Sequence, residues 1–322
     1  MSWFIFALVA TLGWGFADLF YKKGTDENDS QSHLKIAIWV GLVMGVCALA
    51  LFPFSETKLS FASLPELFVK YSPASLSYII SMVIGYAGLR YLELSIVSPV
   101  QNASGAFSTV AMVIYFMAVG KITNILDEFS VLDIVGTIVI VIGVVALAIV
   151  EQKLSNAEVH LEKSEKKYKF GALALLFPLL YCLFDTIGTA ADGIILDEET
   201  GLGLGEIDVI IVYGLTFFVV GIIAWIYMLI KNKKAYNPFA VKEISTKGVA
   251  ALFEEFGQVF YVYAMAKKPM LAAPMIASYC IVSVILSRIF LKEKLKASQY
   301  ACVITVIIGI VMLGISEGLA EA

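Results

Sequence analysis

The stretch EQKLSNAEVHLEKSEKKYK, Glu151 to Lys169, is the longest charged run in the chain and separates two sets of apolar windows. Before it lie windows near 3–22, 34–54, 72–92, 95–119 and 131–150; after it, near 170–195, 207–230, 247–267, 270–291 and 297–316. A membrane-spanning helix needs roughly 20 apolar residues, so each window reads as one span. The windows are about twice too long for barrel strands and do not alternate in polarity. The expected fold is an all-α integral membrane protein of ten transmembrane helices. Residues 1–150 form a first five-helix repeat, 151–169 a charged linker, and 170–322 a second five-helix repeat.

The two halves resemble each other. IVSPVQNAS, residues 96–104, opens the fourth window, and MLAAPMIAS, residues 270–278, opens the ninth, which puts Pro99 and Pro274 175 positions apart. Tyr86 and Tyr261 share that offset, and Asp18 corresponds to Asp185 at an offset of 167. GKITNILDE, residues 120–128, accounts for the longer connection between the fourth and fifth windows. Five is odd, so the second copy enters the membrane from the opposite side. The expectation is an inverted repeat about an axis in the membrane plane, an architecture typical of secondary transporters.

Composition agrees and excludes other classes. Of 322 residues 60% are hydrophobic and 16% charged, with a mean hydropathy of +0.87, against about 45–50% and 25% in soluble domains. Ten spans leave no room for a soluble catalytic domain. The net charge is −4 and basic residues fall in short runs between apolar windows, which argues against nucleic-acid binding. Four cysteines, Cys47, Cys182, Cys280 and Cys302, lie in apolar windows without paired spacing; neither a disulfide framework nor a metal site is expected. His33 and His160 read as loop residues, which removes histidine chemistry from the membrane core. No cofactor is expected. The loops after spans 1, 3, 5, 7 and 9 hold about 18 lysines and arginines, and those after spans 2, 4, 6 and 8 about five. By the positive-inside rule the first set is cytoplasmic and both termini lie outside.

Acidic residues inside the windows carry the functional reading. A charge at mid-membrane costs at least about 2.5–3.5 kcal/mol unless paired, protonated or facing water. Asp18, Asp185, Asp192, Glu254 and Glu255 all qualify. Tyr181, Asp185, Thr189 and Asp192 share one helical face, as do Glu254, Gln258 and Tyr261; Glu255 is rotated about 100° from that stripe. Trp14, Asp18 and Tyr21 line up on span one, and Gln101, Gly105 and Ser108, with Asn102 and Ser104 beside them, on span four. The candidate substrate- or proton-binding residues are therefore Trp14, Asp18, Tyr86, Gln101, Asn102, Tyr181, Asp185, Glu254, Gln258 and Tyr261. Plainer readings exist: Asp18 pairing with Lys22, Asp192 solvated at the interface, the tyrosines packing in a belt, and Arg90 and Arg288 snorkelling. Spans two, five, seven and ten, with Gly41 and Gly45 at close-contact spacing, read as scaffold.

The chain resembles the drug/metabolite transporter superfamily, in its EamA-type ten-helix group. Gly13-Trp14-Gly15 with Lys22 or Lys23, the prolines Pro99 and Pro274, and FLKEKLKASQ at residues 290–299 carry the resemblance. The last places Glu293, Leu295 and Gln299 on the family motif, with Gly309 beyond. Lys292 stands where the family has a glycine, and Cys302 where another is common. The resemblance implies movement of a small metabolite, proton-driven or passive, through a cavity between spans 1, 3, 4, 6, 8 and 9 by rocking of the halves. It implies a structural role for Glu293, ordering the last hairpin.

The expected protein is a multi-pass plasma-membrane secondary transporter, not an enzyme. A carboxylate-lined cavity favours a cationic or zwitterionic small molecule such as an amine or amino acid. Proton or sodium is the coupling ion, the bilayer the main surrounding partner, and the assembly a monomer or homodimer. The alternative is a proton-coupled exporter of drugs or toxic amines.

Overall fold

Residues 2–321 are described by a computed structural model, apart from 27, 93, 162–173, 175, 234, 293 and 294. Twelve principal helices follow in order: α1 (Trp3–Gly24), α2 (Ser32–Leu51), α3 (Leu64–Gly88), α4 (Leu94–Asn102), α5 (Ser104–Ala118), α6 (Val131–Leu161), α7 (Leu176–Ile195), α8 (Glu206–Asn232), α9 (Val249–Lys267), α10 (Pro269–Ala277), α11 (Tyr279–Leu286) and α12 (Ala297–Glu321). Among the described residues no strand occurs. Among the described residues eight segments are long and apolar enough to cross a membrane: α1, α2, α3, α6, α7, α8, α12, and the run Pro269–Leu291 that contains α10 and α11. The fourth and eighth windows, α4–α5 and α9, are helical too but fall outside that set. α4–α5 is broken into short pieces, and α9 carries Glu254, Glu255 and Lys267.

The two breaks lie at matching places in the two halves. Pro99 precedes a break at Ala103, and Pro274 one at Ser278, so the breaks keep the 175-residue offset of the prolines. Across the junction the backbones approach closely. A β-carbon on Gly105 would lie 2.3 Å from that of Ala277 and 3.0 Å from the Ala273 carbonyl oxygen, so only glycine fits there.

Helix pairing is unchanged when the halves are exchanged. α1 packs on α9 and α3 on α7, the first span of each half against the third of the other. α2 pairs with α8, α6 with α12, α5 with α10 and α4 with α11. The α2–α8 seam is close at Gly41, where a β-carbon would sit 2.5 Å from the Phe217 carbonyl oxygen and 3.0 Å from Gly221 Cα. Close backbone approach of this kind packs helices where no hydrophobic drive separates protein from lipid. The outward faces of α6 and α12 expose Ile138, Ile142, Ile304 and Ile308, as a lipid-facing surface requires.

Local signals explain several ends. Ser130 and Asp133 form a reciprocal cap at the start of α6, each side chain accepting from the other's amide at 3.0 Å. Asp208, fully buried at the start of α8, accepts from the amides of Glu56 and Thr57 at 3.0 and 2.9 Å and ties down the loop before α3. Lys292 ends the ninth span in a left-handed conformation, φ 60°.

Two expectations change. α6 runs on to Leu161, eleven residues into the segment read as a linker; residues 162–169 lie outside the described residues. His33 sits in the first turn of α2 and His160 in the last turn of α6 rather than in loops. Glu293, the residue expected to order the last hairpin, lies outside the described residues. Gln299 of the same motif does turn back, its side-chain oxygen accepting from the Lys296 amide.

Candidate functional site

α1, α3, α4, α7, α9 and α11 converge on a polar interior. α1 brings Trp14, Asp18 and Tyr21 to one face, and the three residues are buried or nearly so. Asp18 Oδ2 accepts hydroxyls from Ser98 on α4 at 2.6 Å and Ser283 on α11 at 2.7 Å. The carboxylate therefore joins the two proline-broken spans. Lys22, one turn along, directs its ammonium to the carbonyls of Leu89 and Leu92 at 2.7 and 2.8 Å, so the local Asp18–Lys22 pairing is not the arrangement found.

Glu254 is held between halves. Tyr78 of α3 donates to Oε1 at 2.5 Å and Tyr21 of α1 to Oε2 at 3.2 Å. Trp14 Nε1 donates to the Glu254 carbonyl at 3.2 Å. Asp185 accepts from Ser104 at 2.6 Å. Asp192 is buried, not interfacial: it accepts from Tyr261 at 3.0 Å and, more closely, from Tyr71. Its position one turn before the end of α7 suggests water, but α3 and α9 close over it. Glu255 leaves this group, as its rotation requires. It lies beside Cys47 of α2.

The remaining sequence candidates fall into place around these four carboxyl groups. Tyr86 packs on Tyr21 with ring centroids 4.7 Å apart. Asn102 Nδ2 donates to the Ser98 carbonyl at 2.8 Å and so steadies the hydroxyl on Asp18. Tyr181 points its hydroxyl at Met82 Sδ, 3.3 Å away. Gln101 has a buried amide nitrogen with no protein partner, and both amide atoms of Gln258 are buried without one. Pro99 and Pro274 line neither of the two interior cavities.

The interior space is divided. One cavity lies against Asp18, Glu254, Tyr86 and Gln101, and a second against Asp185, Asn102, Thr189 and Tyr261. Trp14, Tyr78, Tyr181 and Tyr279 border both and form the partition. Trp14 is 5.7 Å from Tyr279 and 5.1 Å from Tyr261, ring centre to ring centre. Each cavity measures about 20 Å³, room for one water molecule. The described conformation is thus closed around its polar centre.

Sequence reasoning passed over Tyr71, Tyr78, Ser98, Ser283 and Tyr279. Tyr71 and Tyr78 are seven apart, one helical face, and could have been found that way. The serines give no such signal, since a lone serine in an apolar helix more often bonds its own backbone. Ion pairs among the described residues lie elsewhere: Lys35–Asp29, Lys70–Glu66, Lys247–Glu243, and Lys121 with Asp197 and Glu199.

Residues 200–315 match the EamA-like transporter family, so the resemblance drawn from residues 290–299 is shown for that part of the chain. No curated protein matches the sequence. A crystal structure of a protein 12% identical superposes with a TM-score of 0.59, covering 98% of both chains. At that identity the likeness shows the fold alone. The spans describe a multi-span membrane protein, and residues 200–315 of it are similar to a transporter family.

Proposed function

We propose that this chain is a secondary transporter that moves a cationic or zwitterionic small molecule, such as an amine or amino acid, by alternating access. The inverted halves, 1–150 and 170–322, rock about the centre. The observation that carries the reading is the set of four buried carboxyl groups, Asp18, Asp185, Asp192 and Glu254, each held by serine or tyrosine hydroxyls. As bare anions in the membrane interior they would cost on the order of 10–14 kcal/mol even on the mildest scale. A closed state with one-water cavities therefore holds protons on them, and an opened state exchanges protons for a cation.

The residues divide the work. Asp18 and Glu254 offer negative charge on one side of the aromatic partition, and Asp185 on the other. Trp14 and the surrounding tyrosines present ring faces to an ammonium group. Gln101 adds a free amide for a carboxylate or hydroxyl of a zwitterion. The same aromatic lining favours bulky organic cations, so export of toxic amines by proton exchange is the second reading. The plasma membrane is the proposed site of action.

Reconstitution tests this. Proteoliposomes are loaded and assayed for exchange of labelled tetraethylammonium, a neutral amino acid and a dicarboxylate. Exchange of the cation or the amino acid that falls on Glu254→Gln or Asp185→Asn is expected. Exchange confined to the dicarboxylate, or untouched by either substitution, contradicts the reading.

A further inference from the structure

Span seven read as scaffold, yet α8 places Tyr213 in the interior, fully buried. Its ring lies 5.7 Å from Tyr71 and 5.5 Å from Tyr78, edge to face in both cases. Tyr71 donates to Asp192, near the end of α7 beside the 195–206 loop, and Tyr78 donates to Glu254, midway along the helical run Val241–Lys267. A row of phenols from α3 and α8 thus runs from one carboxyl group to the other. Alongside it, α9 carries Glu254, Gln258 and Tyr261 on one face, and Tyr261 also donates to Asp192. Gln258, midway, is 1% exposed and neither amide atom has a protein partner.

Such an orphaned amide is costly to bury, and a bound water is the usual remedy. The amide offers one acceptor and two donors. Tyr213 lines neither cavity against the substrate-facing groups. We infer that Tyr71, Tyr213 and Tyr78, with water held by Gln258, form a proton path joining Glu254 to Asp192 beside the substrate chamber.

Each step conserves atoms. The Glu254 carboxyl gives its proton to a neighbouring oxygen, phenol or water, which passes on its own. Every intermediate oxygen regains what it gave. Once Asp192 has given up its own proton, the net change is one proton lost at Glu254 and one gained at Asp192. The other titratable groups facing Glu254 are Tyr21 and Asp18 from α1, Tyr86 from α3, Tyr181 from α7, Tyr279 from α11, and Glu255 on its own helix. Those facing Asp192 are Tyr261 from α9, Tyr213 from α8 and Asp185 on its own helix. Intramembrane chains of this kind are where proton relays are found. The path leads the proton from Glu254, which faces a substrate cavity, to Asp192, which lines neither cavity, so a proton displaced by the substrate has a second carboxyl group to go to.

This inference rests on the transporter reading, and one assay separates the two. Proteoliposomes are tested with labelled tetraethylammonium in two modes: counterflow at equal pH, and accumulation driven by a pH gradient. Wild type is expected to show both. Tyr213→Phe keeps ring and packing but removes one oxygen; it is expected to retain counterflow and lose gradient-driven accumulation. Tyr213→His, which restores a proton-carrying group, is expected to recover accumulation. Tyr213→Phe with accumulation intact, or with both modes lost in step, overturns the path. Counterflow without gradient-driven accumulation in wild type overturns the path and leaves the transporter. Absence of both modes in wild type counts against the cation reading, and with it the path.

Discussion

Removing the Tyr78 hydroxyl reads out whether Glu254 carries a proton. Tyr78 donates to Glu254 Oε1 at 2.5 Å, while its ring packs 5.5 Å from Tyr213 and 5.9 Å from Phe217. Tyr78→Phe keeps that packing and deletes one oxygen. A hydrogen bond between neutral groups contributes about 0.5–1.5 kcal/mol net, and one to a charged group about 1.5–3 kcal/mol. The pair term is isolated by a double-mutant cycle of Tyr78→Phe with Glu254→Leu. Unfolding of the four proteins by SDS titration in dodecyl maltoside micelles at neutral pH, without ligand, gives the coupling. A protonated Glu254 predicts about 1 kcal/mol. Coupling well above about 1.5 kcal/mol means an ionised carboxylate in the closed state and refutes the charge reasoning. Coupling near zero refutes the hydrogen bond itself.

Three further outcomes are expected. Asp208→Ala leaves the Glu56 and Thr57 amides without their acceptor and is expected to lower stability by about 1–3 kcal/mol in the same titration, with unchanged preference among transported probes. That separates a structural buried carboxylate from those of the cavity. Lys292→Gly relieves a left-handed side-chain-bearing residue at φ 60° and is expected to stabilise by about 1 kcal/mol, read as a raised thermal midpoint. A lowered midpoint would show that the lysine side chain matters more than the backbone. At the face opposite the lysine-rich loops, burial raises the Asp197 carboxyl, but hydrogen bonds from Lys121 and Thr200 outweigh it and hold the group below the usual aspartate range. A lowered folded value means stability present above the unfolded value and lost as pH falls through the folded one. Asp197→Asn at neutral pH is accordingly expected to speed amide exchange over residues 197–204. Wild type should match it only once the pH falls below the usual aspartate range and through the lowered folded value, intrinsic rates allowed for.

Architecture was largely legible because its determinants are local. Apolar length marks spans, and the repeated proline motif at Pro99 and Pro274 marked the two spans that carry paired breaks, at Ala103 and Ser278, whereas Pro73 leaves α3 unbroken. Charge on an apolar background picked out Asp18, Asp185 and Glu254 as interior groups, since nothing else makes a carboxylate tolerable at that depth. Spacing also turned Glu255 away from Glu254. Two local readings failed for lack of a third dimension. Asp192 reads as interfacial by its position on α7, yet Tyr71 and Tyr261 from other helices enclose it. Lys22 reads as the partner of Asp18 one turn away, yet the carbonyls of Leu89 and Leu92 draw it off.

The sequence by itself determined the number of apolar windows, their division into two similar halves, and which acidic residues had to be inside. Those are properties of a chain meeting a bilayer, where burying a charge or an unpaired amide is penalised residue by residue. The partners of the carboxyl groups were decided only in the folded structure: Ser98 and Ser283 around Asp18, Tyr21 and Tyr78 around Glu254, Tyr71 and Tyr261 around Asp192. Each pair comes from two different helices, and serine and tyrosine carry no sign of direction in the sequence. Tyr213 is the clearest case, for it sits on a helix whose composition says scaffold, and only the packing of α3 against α8 brings it between two carboxyl groups.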